Sequence, residues 1–373
     1  MRSSTRLAPL AALALAAAVA SGCGSSDDSS TGSTSASSGG GGGGGKTVAL
    51  FLPESKTARY ESKDRPYFTA KLKALCPDCK LIYSNADQDA AKQQQQVEAA
   101  ITQGADVLVL DPVDAASAVS SVVRAKQSKI PVISYSRPIG KADIDYFVSN
   151  DNEKVGVMQA EALVARMKAL GKPNGTIVMI NGSPQDAAAG DFKRGAHSVL
   201  DKSGLKIAAE YDTPDWSPDK AQSEMEQAIA KVGKANIDGV YAANDGTAGG
   251  AIAAMKSNGF GTLPPITGQD AELAGVQRIV AGQQYMTVYK KIKPQAEAAA
   301  VLADALVKGK QPPAGLVNGT FDNGQKDVPS VFTEMVPVTG DLVQKDIVDD
   351  GFWKASEICT GQFAAGCKKL GIQ

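Results

Sequence analysis

A single histidine serves the whole chain of 373 residues. That scarcity removes most acid–base and nucleophilic chemistry at neutral pH, where histidine is the usual proton carrier. His197 itself falls within a helix-like segment, with no Cys or Ser motif beside it, and reads as a helix residue. A Gly-x-Ser-x-Gly elbow is missing. A phosphate loop would need Gly-x-Gly-x-x-Gly after the first strand, or Gly-x-x-x-x-Gly-Lys-Ser/Thr. Gly246, Gly249 and Gly250 fit neither phosphate-binding pattern, and no Lys follows them. Asp322–Asp327 has the flavour of a calcium loop, but its ligands and glycine are in the wrong order. No catalytic residue, cofactor or metal is therefore expected. Basic runs are lacking too: 39 Lys and Arg against 40 Asp and Glu leave a formal charge of −1. Nucleic acid is a poor partner for such a chain.

What is present begins with an export signal. Arg2 and Arg6 precede an apolar stretch, Leu7–Ala20, too short and Ala-rich to span a bilayer comfortably, and small residues follow. Residues 1–22 read as a signal peptide. Cys23, directly after Ala20-Ser21-Gly22, resembles the lipidated cysteine of a bacterial lipoprotein box, although Ala20 stands where Leu is commoner. Residues 23–45 would then be that lipidated Cys and a Ser/Gly tether, with too little apolar surface to fold. The alternative is a secreted protein with an incidental Cys. Four further cysteines lie as near neighbours, Cys76 with Cys79 and Cys359 with Cys367. Two local disulfides are expected outside the cytoplasm; a zinc site would need all four to converge.

From Lys46 the chain alternates strand-like with helix-like segments. The strand-like pieces are 47–52, 80–84, 107–110, 132–135 and 146–148, then 176–180, 207–211, 240–243 and 265–267. Amphipathic stretches such as 90–103, 115–128, 155–170 and 218–232 lie between. Such alternation predicts an α/β protein with parallel sheets, and two series predict two similar Rossmann-like lobes. At the join, Asn150 is expected to cap a helix with Glu153 closing a capping box.

Ligands in open α/β sheets sit beyond the carboxyl ends of the strands. The side chains there are Arg59 and Tyr60, Arg137, Asp186, Trp216, Asn244, Asp270 and Lys290. Carboxylates, amides and guanidinium groups suit the paired hydroxyls of a neutral polyol, and aromatic rings suit its C–H faces. Taken singly, Asp245 reads equally as a helix cap, Arg137 as a surface ion pair and Trp216 as packing. The argument rests on their joint occurrence. The small residues 246–250 are expected to start a helix close to the cleft floor, with Asn244 aimed into it.

The stretches ADIDYFVSNDNEKVG (142–156), AANDGTAGGAIAAM (242–255), TGQDAELAGVQRIVAG (267–282), MTVYKKI (286–292) and DNGQKDVPS (322–330) closely resemble the bacterial D-xylose-binding proteins. These are solute-binding components of ABC-type sugar importers in the type I periplasmic-binding-protein family. The resemblance runs from about Thr47 to Lys354. It implies two lobes joined by three hinge strands, 46–149 plus 290–325 and 150–289 plus 326–355, with 356–373 as a tail. The crossings fall near Ser149–Asn152, Tyr285–Lys290 and Asp322–Val328. It carries a sugar-contacting role onto Arg59, Tyr60 (a Trp in the family), Arg137, Asp186, Trp216, Asn244, Asp270 and Lys290, with Tyr60 and Trp216 sandwiching the ring. Two positions depart: Ser136 replaces an Asp and Ala188 an Asn, each the loss of a hydrogen-bonding arm. The implied protein is a monomeric, lipid-anchored, extracytoplasmic monosaccharide-binding protein that serves a membrane permease, taking xylose or a related pentose or hexose. A sugar-sensing subunit for a membrane receptor is the alternative, and a sugar-modifying enzyme a weaker one. A DNA-binding repressor of the same fold would need a helix-turn-helix ahead of Lys46.

Overall fold

The computed structural model describes residues 45–373. The expectations for the signal peptide, Cys23 and the tether to Gly44 lie outside the described residues. Among the described residues no helix is long and apolar enough to cross a membrane.

The first lobe opens with β1 (Thr47–Leu52), α1 (Arg65–Leu75), β2 (Lys80–Asn85), α2 (Ala90–Thr102), β3 (Val107–Leu110), α3 (Ala118–Gln127), β4 (Val132–Tyr135) and β5 (Tyr146–Ser149). The chain then crosses to α4 (Asn152–Ala169), β6 (Thr176–Asn181), α5 (Ala187–Leu200), β7 (Lys206–Asp212), α6 (Pro218–Val232), β8 (Gly239–Ala242), α7 (Asp245–Ser257), α8 (Leu273–Val280) and β9 (Met286–Lys290). It returns through α9 (Ile292–Val307), β10 (Gly319–Asp322) and β11 (Asp327–Phe332), and ends beyond β12 (Met335–Thr339).

Seven strands form the first sheet in the order β10-β11-β5-β4-β3-β1-β2. All neighbours are parallel except β10 with β11. Its central strands, such as VLVL of β3, are buried along their length because helices cover both faces. Ala-rich α9 packs beneath it, joining Leu50, Val109 and Ile133 in one apolar cluster. The second sheet is β7-β6-β8, also parallel. Single bridges from Val240 to Ile266 and from Gln269 to Val288 lead on to β9, which pairs antiparallel with β12.

Three differences from the sequence reading stand out. Residues 265–267 make one bridge and no strand; the adjacent prolines 264 and 265 have no N–H to give a ladder. The third crossing is not at Asp322–Val328, and the lobe boundary is not at 325/326: β11 stays in the first sheet, beside β5, through Phe332. Residues 322–327 are instead the turn of the β10–β11 hairpin, where the Asn323 side chain accepts from the backbone of Gln325 and Lys326. Finally, Asp151 caps α4 by accepting from Lys154 N, whereas Asn150 donates to the backbone and side-chain oxygens of Thr333.

That last bond belongs to the hinge. Thr333 N donates to Ser149 O at 2.9 Å and Lys291 N to Glu334 O at 3.1 Å, so the three crossings lie side by side. Cys76 is bonded to Cys79 at the end of α1, and Cys359 to Cys367 in the tail. The tail packs on α8, with Ile358, Cys367 and Ile372 against Val276, Ile279 and Val280.

Candidate functional site

Each lobe turns the carboxyl ends of its strands toward the other, and polar residues gather there. From the first lobe comes Arg59, buried, whose Nε and Nη2 donate to the two oxygens of Asp64 at 2.9 and 2.7 Å. Tyr135 donates its hydroxyl to the same carboxylate. Held by this fork, Arg59 extends Nη1 across the cleft to Asp270 Oδ1 at 3.4 Å. Tyr60, the next residue, lies with its ring near both guanidiniums, 5.2 Å from Arg59 and 5.8 Å from Arg137.

Arg137 follows β4 through a sharp turn in which Ser136 adopts φ of 58°. Its Nη1 donates to Pro112 O at 3.2 Å, and its Nε lies 3.0 Å from Asp186 Oδ2 of the second lobe. Arg137 is thus a buried cross-lobe ion pair and not the surface pair that its position alone suggests. Burial by itself would lower its pKa, but Asp186 foremost among its neighbours raises the guanidinium above its ordinary value.

Asp186 divides its work. Oδ1 caps α5 by accepting from Ala188 N at 2.8 Å, and Oδ2 accepts from Trp216 Nε1 at 3.1 Å. The Trp216 ring lies against Gly182, where an added Cβ would sit 2.1 Å from ring carbon Cη2. Asn244 caps α7 in a capping box with Thr247, its Oδ1 accepting from Thr247 N at 2.8 Å. The glycines that follow serve packing: a Cβ on Gly250 would fall 2.1 Å from Pro218 O, so α7 and α6 approach through it.

Asp270 adopts φ of 86° and receives Lys290 Nζ at 2.7 Å as well as Arg59. Burial pushes its pKa up, and Lys290 and Arg59 outweigh that, holding the carboxyl below the usual range. The loop carrying it is fixed from behind by Asp245, which is fully buried. Asp245 accepts from Glu272 N at 2.9 Å, Gln284 Nε2 at 2.6 Å and Thr287 Oγ1 at 3.0 Å. Burial dominates there and pushes Asp245 to about 7. Glu272 closes the lobes a third time, accepting from Ala58 N at 2.9 Å.

All eight residues read from the sequence, Arg59, Tyr60, Arg137, Asp186, Trp216, Asn244, Asp270 and Lys290, line one cavity between the lobes. Ser136 and Ala188 line it too, together with Thr57, Ser149, Asn150, Asn152, Phe192 and Gln269. Sequence reasoning missed those last six, and also the carboxylates Glu54, Asp64 and Asp111 behind the arginines. Phe192 carried a usable signal, lying on the helix that Asp186 caps. His197 is not part of the cavity; it pairs with Asp201 and Glu210 near the surface. Among the described residues no group of three or more His, Cys, Asp or Glu is placed to hold a metal ion.

Residues 48–311 match the model of the periplasmic binding protein domain. The chain belongs to the periplasmic binding protein family. It is 38% identical over 315 residues to the D-xylose-binding periplasmic protein of Escherichia coli, covering 83% of this chain and 92% of that one. It is 33% identical to the multiple sugar-binding periplasmic receptor ChvE of Rhizobium radiobacter, over 84% of this chain and 92% of the relative. A carbohydrate-transporter solute-binding protein from Chloroflexus aurantiacus, solved with D-glucose, superposes with a TM-score of 0.76 at 29% identity, covering 84% and 98% of the two chains. These periplasmic binding proteins are named for what they bind, not for any reaction. In their type I fold the cleft between the lobes is the space described above.

Proposed function

We propose that this protein is an extracytoplasmic, lipid-anchored solute-binding protein that takes one monosaccharide into the inter-lobe cavity and presents it to the permease of an ABC importer. The observation that carries this reading is the convergence of donors, acceptors and two aromatic rings from both lobes on one buried cavity. Hydroxyls would accept from Arg59, Arg137, Lys290 and the Asn244 amide, and donate to Asp186 and Asp270. Tyr60 and Trp216 would cover the ring faces. A sugar touching both lobes favours their closed arrangement by its extra contacts there, and the closed form is what a permease would read.

Xylose or a related pentose or hexose fits this chemistry. The similarity to D-xylose-binding proteins supports a pentose, and the likeness to a glucose-bound neighbour supports a hexose. Ser136 offers a short hydroxyl in place of a carboxylate and Ala188 no polar group at all, so a hydroxyl entering that corner unpaired would cost about 1–3 kcal/mol. The anchor rests on Cys23 and the Ser/Gly-rich segment after it. A relative named as a receptor supports sensing as the second reading; a pull-down that recovers a receptor in place of a permease would favour it.

A thermal-shift screen of aldopentoses, hexoses and polyols tests the proposal. A ligand at 100 times its Kd stabilises the folded form by about 2.7 kcal/mol, so the true sugar raises Tm by several degrees. No shift with any of them would refute it.

A further inference from the structure

Three carboxylates surround the single guanidinium of Arg137. Asp186 of the second lobe lies 3.0 Å from Nε, while Glu54 and Asp111 of its own lobe lie 3.7 Å from Nη2 and Nε. Asp111 follows β3 directly and is completely buried, as is Glu54. Glu54 spends one oxygen on Thr57 N at 2.9 Å. Its other oxygen, and both oxygens of Asp111, have no hydrogen-bond partner among the described residues. Even the Arg137 Nε, close to Asp186 as a charge, is misaligned for a hydrogen bond.

A buried carboxyl without a hydrogen bond costs about 1–3 kcal/mol or more, and an apolar side chain would fill the same place without that cost, while Asp186 and Glu54 still offset the charge of Arg137. A stability role therefore does not explain Asp111. Its position does: with Glu54 it forms the own-lobe side of a cradle whose far side, Asp186, belongs to the other lobe. We infer that Asp111 is a positioning residue, which holds the Arg137 guanidinium at the cavity wall and so sets the affinity for sugar hydroxyls at the corner beside Ser136. The inference rests on the monosaccharide reading above. Arg59 and Asp64 also face Asp111. Tyr60, whose ring lies near Arg137, completes the charged and titratable surroundings.

The test uses the purified full-length protein, with D-xylose and D-glucose titrated by calorimetry and Tm measured in parallel. Asp111→Leu is expected to leave Tm unchanged or higher while weakening the better-bound sugar at least fivefold. Adding Ser136→Asp to that variant returns a carboxylate to the same guanidinium from the neighbouring position. Asp tolerates the left-handed backbone there, and affinity is expected to recover to within about twofold of wild type. Wild-type affinity in Asp111→Leu would overturn the inference while leaving the sugar reading intact. So would a parallel fall of Tm and affinity that Ser136→Asp does not reverse. If neither sugar binds the wild type, the reading beneath fails and the inference falls with it.

Discussion

Lys290 Nζ lies 2.7 Å from Asp270 Oδ1, and both side chains are almost wholly buried. Arg59 reaches the same oxygen, but Arg59 also has Asp64 as a bidentate partner, whereas this carboxylate is the one ion-pair partner of Lys290 among the described residues. The pair therefore fixes the end of β9 more than it fixes Arg59.

Asp270→Asn removes the charge and keeps the shape. Breaking a buried pair by removing one partner costs about 3–5 kcal/mol, so Tm at pH 7 is expected to drop sharply. Burial already lowers the Lys290 pKa, and loss of Asp270 lowers it further. A lysine whose folded pKa is depressed binds fewer protons in the folded state than in the unfolded one, so stability rises with pH across that window. The deficit of the variant should narrow as pH goes from 7 toward 10 in thermal unfolding; a constant deficit would mean Lys290 is not the group left stranded.

Gly182→Ala tests the aromatic wall without touching a charge. The added Cβ would meet three ring atoms of Trp216 within 2.6 Å, so the ring must leave its seat and its bond to Asp186. Sugar affinity is expected to fall at least tenfold, with a changed near-ultraviolet circular dichroism signal, since the chain has only two tryptophans. An unaltered spectrum with full affinity would show that the ring does not line the ligand.

Asn244→Ala separates two roles of one side chain. Loss of the cap on α7 costs about 1 kcal/mol, a small Tm decrease. Loss of the amide at the cavity should weaken sugar binding at least tenfold in calorimetry. Asn244→Asp keeps a capping oxygen, and is expected to restore Tm without restoring affinity.

Much of this was legible because parallel strands buried on both faces read as apolar runs, as in β1 and β3, and polar residues just beyond them stand out. β11 did not read that way: DVPSVF alternates buried with exposed residues and contains Pro329, a pattern that hides a strand. Asn150 and Asp151 are both good caps, and only Thr333, 183 residues away, diverts the first. Glu54 and Asp111 were invisible for a related reason. An acid in a loop, as both are, says nothing about which arginine it will meet until the sheet brings β1, β3 and β4 together, whereas Asp64 meets Arg59 five residues away on one helical turn.

Asp245 predicts an unusual pH profile of stability. Its ordinary carboxyl pKa is about 3.9, and burial pushes the folded value to about 7. Between those values the folded state binds more protons than the unfolded one, so stability contributed by this group is full below pH 4 and is lost as pH rises to 7. Glu272, raised well above its ordinary range chiefly by burial, adds in the same direction. Asp270, with a depressed pKa, acts in the opposite sense and only below about pH 4. Asp245→Asn should therefore flatten, without abolishing, the fall in unfolding free energy between pH 4 and 7. It should also loosen the 268–272 loop, because the new amide NH2 faces donors at Gln284, Thr287 and Glu272 N. Denaturant titrations at pH 4, 5, 6 and 7 would check this, and equal slopes for wild type and variant would place the titration elsewhere.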